Sequence, residues 1–335
     1  MIGLLSPLEV KGLPLKNRLV MPSMQTSLAT RNGEVTDELI QYYAHRAHSV
    51  GLLIVEHSYV SLEGQLSANQ LGIYKDTLRA GLEKLASRIH SKATPVVIQI
   101  NHAGNKANTD ITGLPPVGPS ATETARQLQI EELNQRADAY ASAAERAITS
   151  GFDGVEVHGA HGFLLNQFYS PLTNKRRDQY GGSLENRIRL PLKVVKKVRK
   201  TIGNRLLLYR LGAVDLDPVG TQIADSMQFA IKLKEAGVDI IDVSGGLCGS
   251  RPAQLQTSPG YFISQAQQIR AATGIPVIGV GGIRDPDYAN QLIEEKTVDL
   301  VAVGRPMLND AEWSAKFIRQ VKSSKNKNRQ SKKDI

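Results

Sequence analysis

Asn17-Arg18-Leu19-Val20-Met21-Pro22-Ser23-Met24-Gln25-Thr26 is an apolar strand candidate that runs directly into a segment without glycine. An open, doubly wound sheet would usually carry a Gly-x-Gly-x-x-Gly turn at that junction. The same kind of unit then recurs along the chain. Runs dense in Val, Ile and Leu lie at Gly51–His57, Pro95–Asn101, Asp153–His158, Arg205–Arg210, Val238–Ser244, Ile275–Val280 and Val298–Gly304. Their low charge is what parallel strands covered on both faces require. Helix candidates fill the gaps. Thr36 precedes Asp37-Glu38, Asp285 precedes Pro286, and Glu131–Ser150 repeats apolar residues at three-four spacing, all marks of helix starts or of one buried helix face. Eight βα units in 335 residues predict one closed (β/α)8 barrel, an α/β TIM barrel with a short N-terminal cap. No linker or long repeat marks a second domain. The barrel is expected over 1–318, with a basic, disordered tail over 319–335.

Composition narrows the function. At 41% hydrophobic and 22% charged residues the chain falls in the range of globular proteins. Its longest apolar runs are too short to cross a bilayer, which argues against a membrane protein. The amino terminus lacks the basic start and long apolar stretch of a secretion signal. Cys248 is the single cysteine, which excludes an internal disulfide, a cysteine-clustered zinc site and an iron–sulfur cluster. A cytoplasmic address is expected. Residues 319–335 carry seven basic side chains and one acid, six of the nine net positive charges. With no aromatic residue between those charges, the tail lacks the stacking surface of a single-strand binder, so nucleic acid is not expected as a partner.

In a (β/α)8 barrel the chemistry sits at the carboxyl ends of the strands. No strand run contains a lysine for a Schiff base, and the first has no His-x-His for a metal. The polar groups that remain suit a protein that holds a cofactor. Val280-Gly281-Gly282-Ile283 leads into the Asp285-Pro286 helix start, and Gly304-Arg305-Pro306 ends the eighth run. Glycines there let backbone N–H groups approach a phosphate, and Arg305 adds charge. Arg210 and Gln99 are polar residues in otherwise apolar runs, and either could make a structural bond within the barrel mouth. A flavin ring would satisfy both, the amide on its pyrimidine edge and the cation on the N1/O2 side. His158-Gly159-Ala160-His161 offers either two neutral donors to a substrate oxygen or, with His57 or His102, part of a metal site. Two long loops, Asn105–Gln129 and Gly159–Asn186, lie on the same face.

Several of these motifs together resemble the old yellow enzyme family. They are Leu15-Lys16-Asn17-Arg18, Met21-Pro22-Ser23-Met24, His102-Ala103-Gly104, His158-Gly159-Ala160-His161-Gly162, Ser170-Pro171-Leu172-Thr173-Asn174, Tyr180–Arg187 and Gly304-Arg305-Pro306, in the family's order. The closest likeness is to the branch containing the flavin barrels of 2,4-dienoyl-CoA reductase and trimethylamine dehydrogenase. The resemblance implies FMN at the barrel mouth and NADH or NADPH as a transient reductant. It implies that Ser23, Met24 and Gln25 line the ring, that Gln99 and Arg210 meet its pyrimidine edge, and that Gly281, Gly282, Gly304 and Arg305 take the phosphate. His158 and His161 match the pair that holds the acceptor's oxygen, and His57 lies near the ring. The long multidomain relatives continue past the barrel, so a stand-alone barrel is expected here; a homo-oligomer remains open.

The family's usual proton donor, a tyrosine two residues after the second histidine, is Phe163 in this chain. The expected activity is ping-pong transfer from NAD(P)H through flavin to an electron-poor small molecule: a quinone, a nitro compound, oxygen, or an enone protonated by His57, Tyr59 or solvent. The alternatives are a metal-dependent barrel hydrolase using His57, His158 and His161, and a catalytically lapsed flavin- or nucleic-acid-binding protein.

Overall fold

The computed structural model describes residues 2–255 and 258–331, with side chains of the last helix described to residue 324. Eight parallel strands close a barrel: β1 Leu19–Met21, β2 Leu52–Tyr59, β3 Val96–Asn101, β4 Gly154–Gly159, β5 Leu206–Gly212, β6 Ile240–Ser244, β7 Val277–Gly279 and β8 Leu300–Ala302. Every strand falls in its predicted run, with β2, β4 and β5 reaching a residue or two farther. β1 stops at Met21 because Pro22 has no N–H to continue the ladder. A helix follows each strand: α1 Asp37–Ala47, α2 Arg79–His90, α3 Ile130–Thr149, α4 Arg189–Ile202, α5 Ile223–Glu235, α6 Ile263–Thr273, α7 Pro286–Glu294 and α8 Trp313–Ser331. The predicted caps form. Thr36 accepts from the Leu39 N–H, and Asp285 accepts from Asp287 and Tyr288 with Pro286 at the first helical position.

Two apolar layers hold the barrel. One lies between strands and helices, built from residues such as Leu53, Ile98, Val155, Leu207 and Ile241. The other fills the barrel bottom with Val20, Leu52, Ile54, Val97, Leu206, Leu208, Ile240, Ile278 and Leu300. A hairpin of Leu8–Val10 against Leu13–Leu15 sets Val10 and Leu15 onto that inner layer. It is the short N-terminal cap. The period-two alternation of a strand then dictates what comes next inside. Val97 leads to Gln99 and Asn101, Leu208 to Arg210, and Ile240 to Asp242 and Ser244. The interior thus changes from apolar at the bottom to polar at the mouth.

The two long loops are ordered and tied to each other. Arg176, buried, donates through Nη1 to the carbonyls of Pro119 (3.0 Å) and Leu128 (2.6 Å), so a residue of the second loop satisfies backbone of the first. At the carboxyl end, α8 continues through the expected start of a disordered tail at 319. Trp313 stacks on Phe317 at 4.5 Å, and Phe317 and Val321 are buried. That three-four apolar spacing, with no proline or glycine in the way, keeps the basic segment helical to Ser331. Residues 332–335 of the expected tail lie outside the described residues.

Candidate active site

The carboxyl ends of the strands surround a cavity of about 520 Å³. Of the residues expected there, Ser23, Met24, Gln25, His57, Gln99, His158, His161, Phe163, Arg210, Gly282, Gly304 and Arg305 all line it. Gly281 does not. It stands one residue behind the wall at φ 126°, its carbonyl accepting from the N–H groups of Gly260 and Tyr261, the latter at 3.3 Å. A Cβ there would meet the Tyr261 nitrogen at 2.8 Å, so this glycine serves the turn. Tyr59 also lies elsewhere. Its ring stacks on Tyr74 at 5.1 Å and is not part of the cavity lining. β2 carries a bulge just before it, its register with β3 shifting between Val55 and Ser58, which breaks strict alternation.

Each polar lining group is fixed by neighbours. Gln99 accepts from the Ser23 hydroxyl at 2.9 Å and donates to Glu156 at 2.5 Å. Both ends of its amide are thereby oriented, with one N–H and one lone pair left over. Arg210 donates to the Ser23 carbonyl at 3.3 Å and faces Asp242 with Nε to Oδ2 at 3.3 Å. His57 accepts at Nδ1 from Gln70 (3.0 Å) and Asn101 (3.3 Å), which puts its proton on Nε2, 3.2 Å from the Gln25 carbonyl oxygen. His161 adopts φ 57° in the turn after β4, with Nε2 2.8 Å from the Ser244 hydroxyl. The rings of His158 and His161 meet edge to face at 5.1 Å, and Phe163 lies 4.9 Å from His158 and 5.4 Å from His57.

Burial, with positive charge on Arg210 nearby, makes all three cavity histidines neutral. His57 is pushed down to about 4, and His158 and His161 fall well below the usual imidazole range. Neutral imidazoles donate hydrogen bonds without delivering a proton as an imidazolium would. His158 Nδ1 has no partner, a buried polar atom that a ligand in the cavity can satisfy. Among the described residues no group of three His, Cys, Asp or Glu is placed to hold a metal ion, so the three histidines do not form the ligand set that the hydrolase alternative requires.

The cavity's other end is built by glycine and arginine. Gly304, before the short helix Arg305–Asn309, would set a Cβ 2.8 Å from Met24 Sδ. Arg305 donates to the Tyr261 hydroxyl at 3.1 Å, and that hydroxyl donates to the Ser250 carbonyl at 3.0 Å. Tyr261, Ser250, Arg251 and Arg284 line this end as well, and the sequence reading missed them. Their only signal was Gly-Ser-Arg and Gly-Ile-Arg following turn glycines, which many βα loops share.

The sequence profile of the NADH:flavin oxidoreductase / NADH oxidase family matches residues 3–324. The chain belongs to this family. A "NADH oxidase" of Thermoanaerobacter brockii is 39% identical over 94% of the chain and 50% of its own length, so this chain spans about half of that relative. An "NADPH dehydrogenase" of Bacillus licheniformis is 38% identical over 95% of the chain and 94% of its own length. The solved old yellow enzyme homologue from Zymomonas mobilis superposes with a TM-score of 0.84 at 26% identity, covering 95% and 92% of the two chains. Membership in the old yellow enzyme family makes this an NAD(P)H:flavin oxidoreductase with FMN as its cofactor, which replaces the metal-hydrolase alternative. No helix among the described residues is long and apolar enough to cross a membrane.

The residues present fit that cofactor. A pre-oriented amide at Gln99, a guanidinium at Arg210, and Gly282, Gly304 and Arg305 all line the one cavity. Gly304 packs against Met24 and presents bare backbone to the cavity, which suits a close-lying phosphate.

Proposed function

We propose that this protein passes electrons from NADH or NADPH to an electron-poor small molecule that needs no positioned tyrosine: a quinone, a nitro compound, oxygen, or an enone protonated by solvent, since neutral His57 holds no imidazolium proton to give. FMN, when bound, would supply the redox chemistry, a ping-pong relay of hydride between nicotinamide and acceptor. The protein's own groups do the rest. Gln99 orients the pyrimidine edge through the N–H and lone pair left free by Ser23 and Glu156. Arg210 would meet the N1/O2 side and stabilise the negative charge that reduction of the flavin would place there. Gly282, Gly304 and Arg305 hold the phosphate.

His158 and His161, both neutral, present N–H groups to the acceptor's oxygen or nitro group and polarise it. Phe163 packs beside them with no O–H to give. His57, also neutral, directs its Nε2–H to the Gln25 side-chain amide oxygen at the cavity wall.

The observation that carries this reading is the convergence of His158, His161 and Phe163 with Gln99 and Arg210 on one cavity. It is tested by anaerobic reduction with NADH and with NADPH, followed by reoxidation with a panel of quinones, nitroaromatics, cyclohexenone and oxygen. Rapid reoxidation by quinone or nitro compound and slow reoxidation by cyclohexenone is expected. Fast turnover with the enone alone would overturn it.

A further inference from the structure

Directly under the cavity, two acids and one cation share a sealed volume. Glu156 of β4 and Asp242 of β6 are both 0% exposed, and Arg210 of β5 is 5% exposed between them. The strand register sets Asp242 beside Arg210 and Glu156 beside Gln99 of β3. Glu156 Oε2 accepts from Gln99, and Asp242 Oδ2 lies 3.3 Å from Arg210 Nε. Glu156 Oε1 and both Asp242 oxygens have no hydrogen-bond partner among the described residues.

Charge balance then decides the state of the pair. If both acids ionise, one negative charge stays buried without a counterion. The other titratable groups facing this volume are His158 above it on β4, His161 in the turn beyond and His57 on β2, and all three are neutral. An unpaired buried charge costs several kcal/mol, so neutralisation by a proton is the cheaper state. The two acids are not equivalent. Burial raises both acids, but Asp242 lies 3.3 Å from the guanidinium, which favours its carboxylate, while Glu156 bonds the Gln99 amide and feels the same guanidinium without an ion-pair contact. Burial and the neighbouring Asp242 charge both push Glu156 upward.

We propose that Glu156 and Asp242 hold a single proton between them, carried by Glu156, and act as positioning residues for the two side chains that meet the flavin's pyrimidine edge. Asp242 holds Arg210 as its ion pair, and Glu156 holds the Gln99 amide as a neutral acid. The floor of the site is electrically neutral as a result, and the positive charge facing N1/O2 is already screened. This inference rests on the flavin reading for its electrochemical test and not for its spectroscopic one.

Two isosteric variants separate the proposal from its alternative. Glu156→Gln replaces a neutral acid by a neutral amide, so the midpoint potential of bound FMN, measured in a dye-equilibrated reductive titration, stays near wild type. Adding Asp242→Asn to Glu156→Gln removes the screen from Arg210 and leaves no acid to ionise in its place. Reduced FMN is then favoured over oxidised FMN by about tenfold, a rise of about 30 mV for the two-electron couple. If both acids were ionised, Glu156→Gln alone would remove a negative charge and raise the potential by about 30 mV, which would overturn the proposal.

Infrared spectra give the second readout. In a Glu56→Gln background, the carbonyl stretch of a protonated carboxylic acid is expected at neutral pH and disappears on adding Glu156→Gln. Selective 13C-glutamate labelling of the same background shifts that band, which answers the question even where a further variant does not fold. Absence of the band refutes the shared proton. Protein that takes up no FMN would refute the flavin reading, and the infrared result would still decide the pair.

Discussion

Replacing Phe163 with tyrosine adds one hydroxyl to a ring already 4.9 Å from His158 and 5.4 Å from His57, on the cavity wall. By the family resemblance, the new O–H would take the place of the tyrosine that protonates an enone's α-carbon after hydride reaches the β-carbon. A positioned general acid contributes about 10²–10⁴-fold. Phe163 is 8% exposed and lies 5.6 Å from Lys106 Nζ, so the added phenol sits in a partly dry site beside a cation, which favours transfer. The lower part of the range, about 10²-fold, is expected because the pocket was packed for a ring without the hydroxyl. Stopped-flow reoxidation of reduced enzyme by 2-cyclohexenone reads this step alone, and reduction by NAD(P)H reads the other half-reaction, which should not change. If wild type already reduces cyclohexenone rapidly and Phe163→Tyr brings no gain, the proton-donor reasoning is wrong.

Gly304→Ala drives a Cβ to 2.8 Å from Met24 Sδ. Methionine can move at a cost of about 1 kcal/mol, so FMN should bind about fivefold more weakly by fluorescence titration, and unchanged affinity would argue against phosphate passage at this glycine. Arg210→Met strands the Asp242 carboxylate and should cost about 3–5 kcal/mol in a denaturant titration; adding Asp242→Asn should restore much of it, and no recovery in the double variant would deny the pairing. Glu56, buried and bonded by Thr26 and Tyr43, is pushed up to about 7, chiefly by burial. A folded-state value above the unfolded one means its contribution is full at low pH and is lost as pH rises from about 4.5 through 7. Glu56→Gln should therefore gain stability over wild type between pH 5 and pH 8, by up to about 3 kcal/mol; a constant difference across that interval would contradict the assignment.

The strands were legible because their chemistry is repetitive: Val, Ile and Leu in short runs, each followed by a capped helix, point to few architectures. Thr36 and Asp285 were readable for the same reason, since a cap uses residues adjacent in sequence. Gln99 and Arg210 stood out as polar breaks in apolar strands, and the inward alternation of β3 and β5 places them at the cavity. Glu156 and Asp242 broke their strands in the same way and were passed over, since their importance lies in a charge balance across three strands. The β2 bulge between Val55 and Ser58 has no marker in Glu56-His57-Ser58-Tyr59. Tyr261 and Ser250 reach the site from a loop whose path is set by contacts far apart in sequence. At the carboxyl end, charge density drew attention away from Phe317 and Val321, whose burial carries α8 past residue 318.

The most direct test of the account is the visible spectrum of the purified chain after incubation with FMN and gel filtration, followed by anaerobic addition of NADH or NADPH. A yellow protein with stoichiometric FMN that bleaches with a nicotinamide, and loses its flavin when Gln99 and Arg210 are both replaced by leucine, is the predicted result. A colourless protein that takes up no FMN, or flavin held equally well without those two side chains, would contradict it.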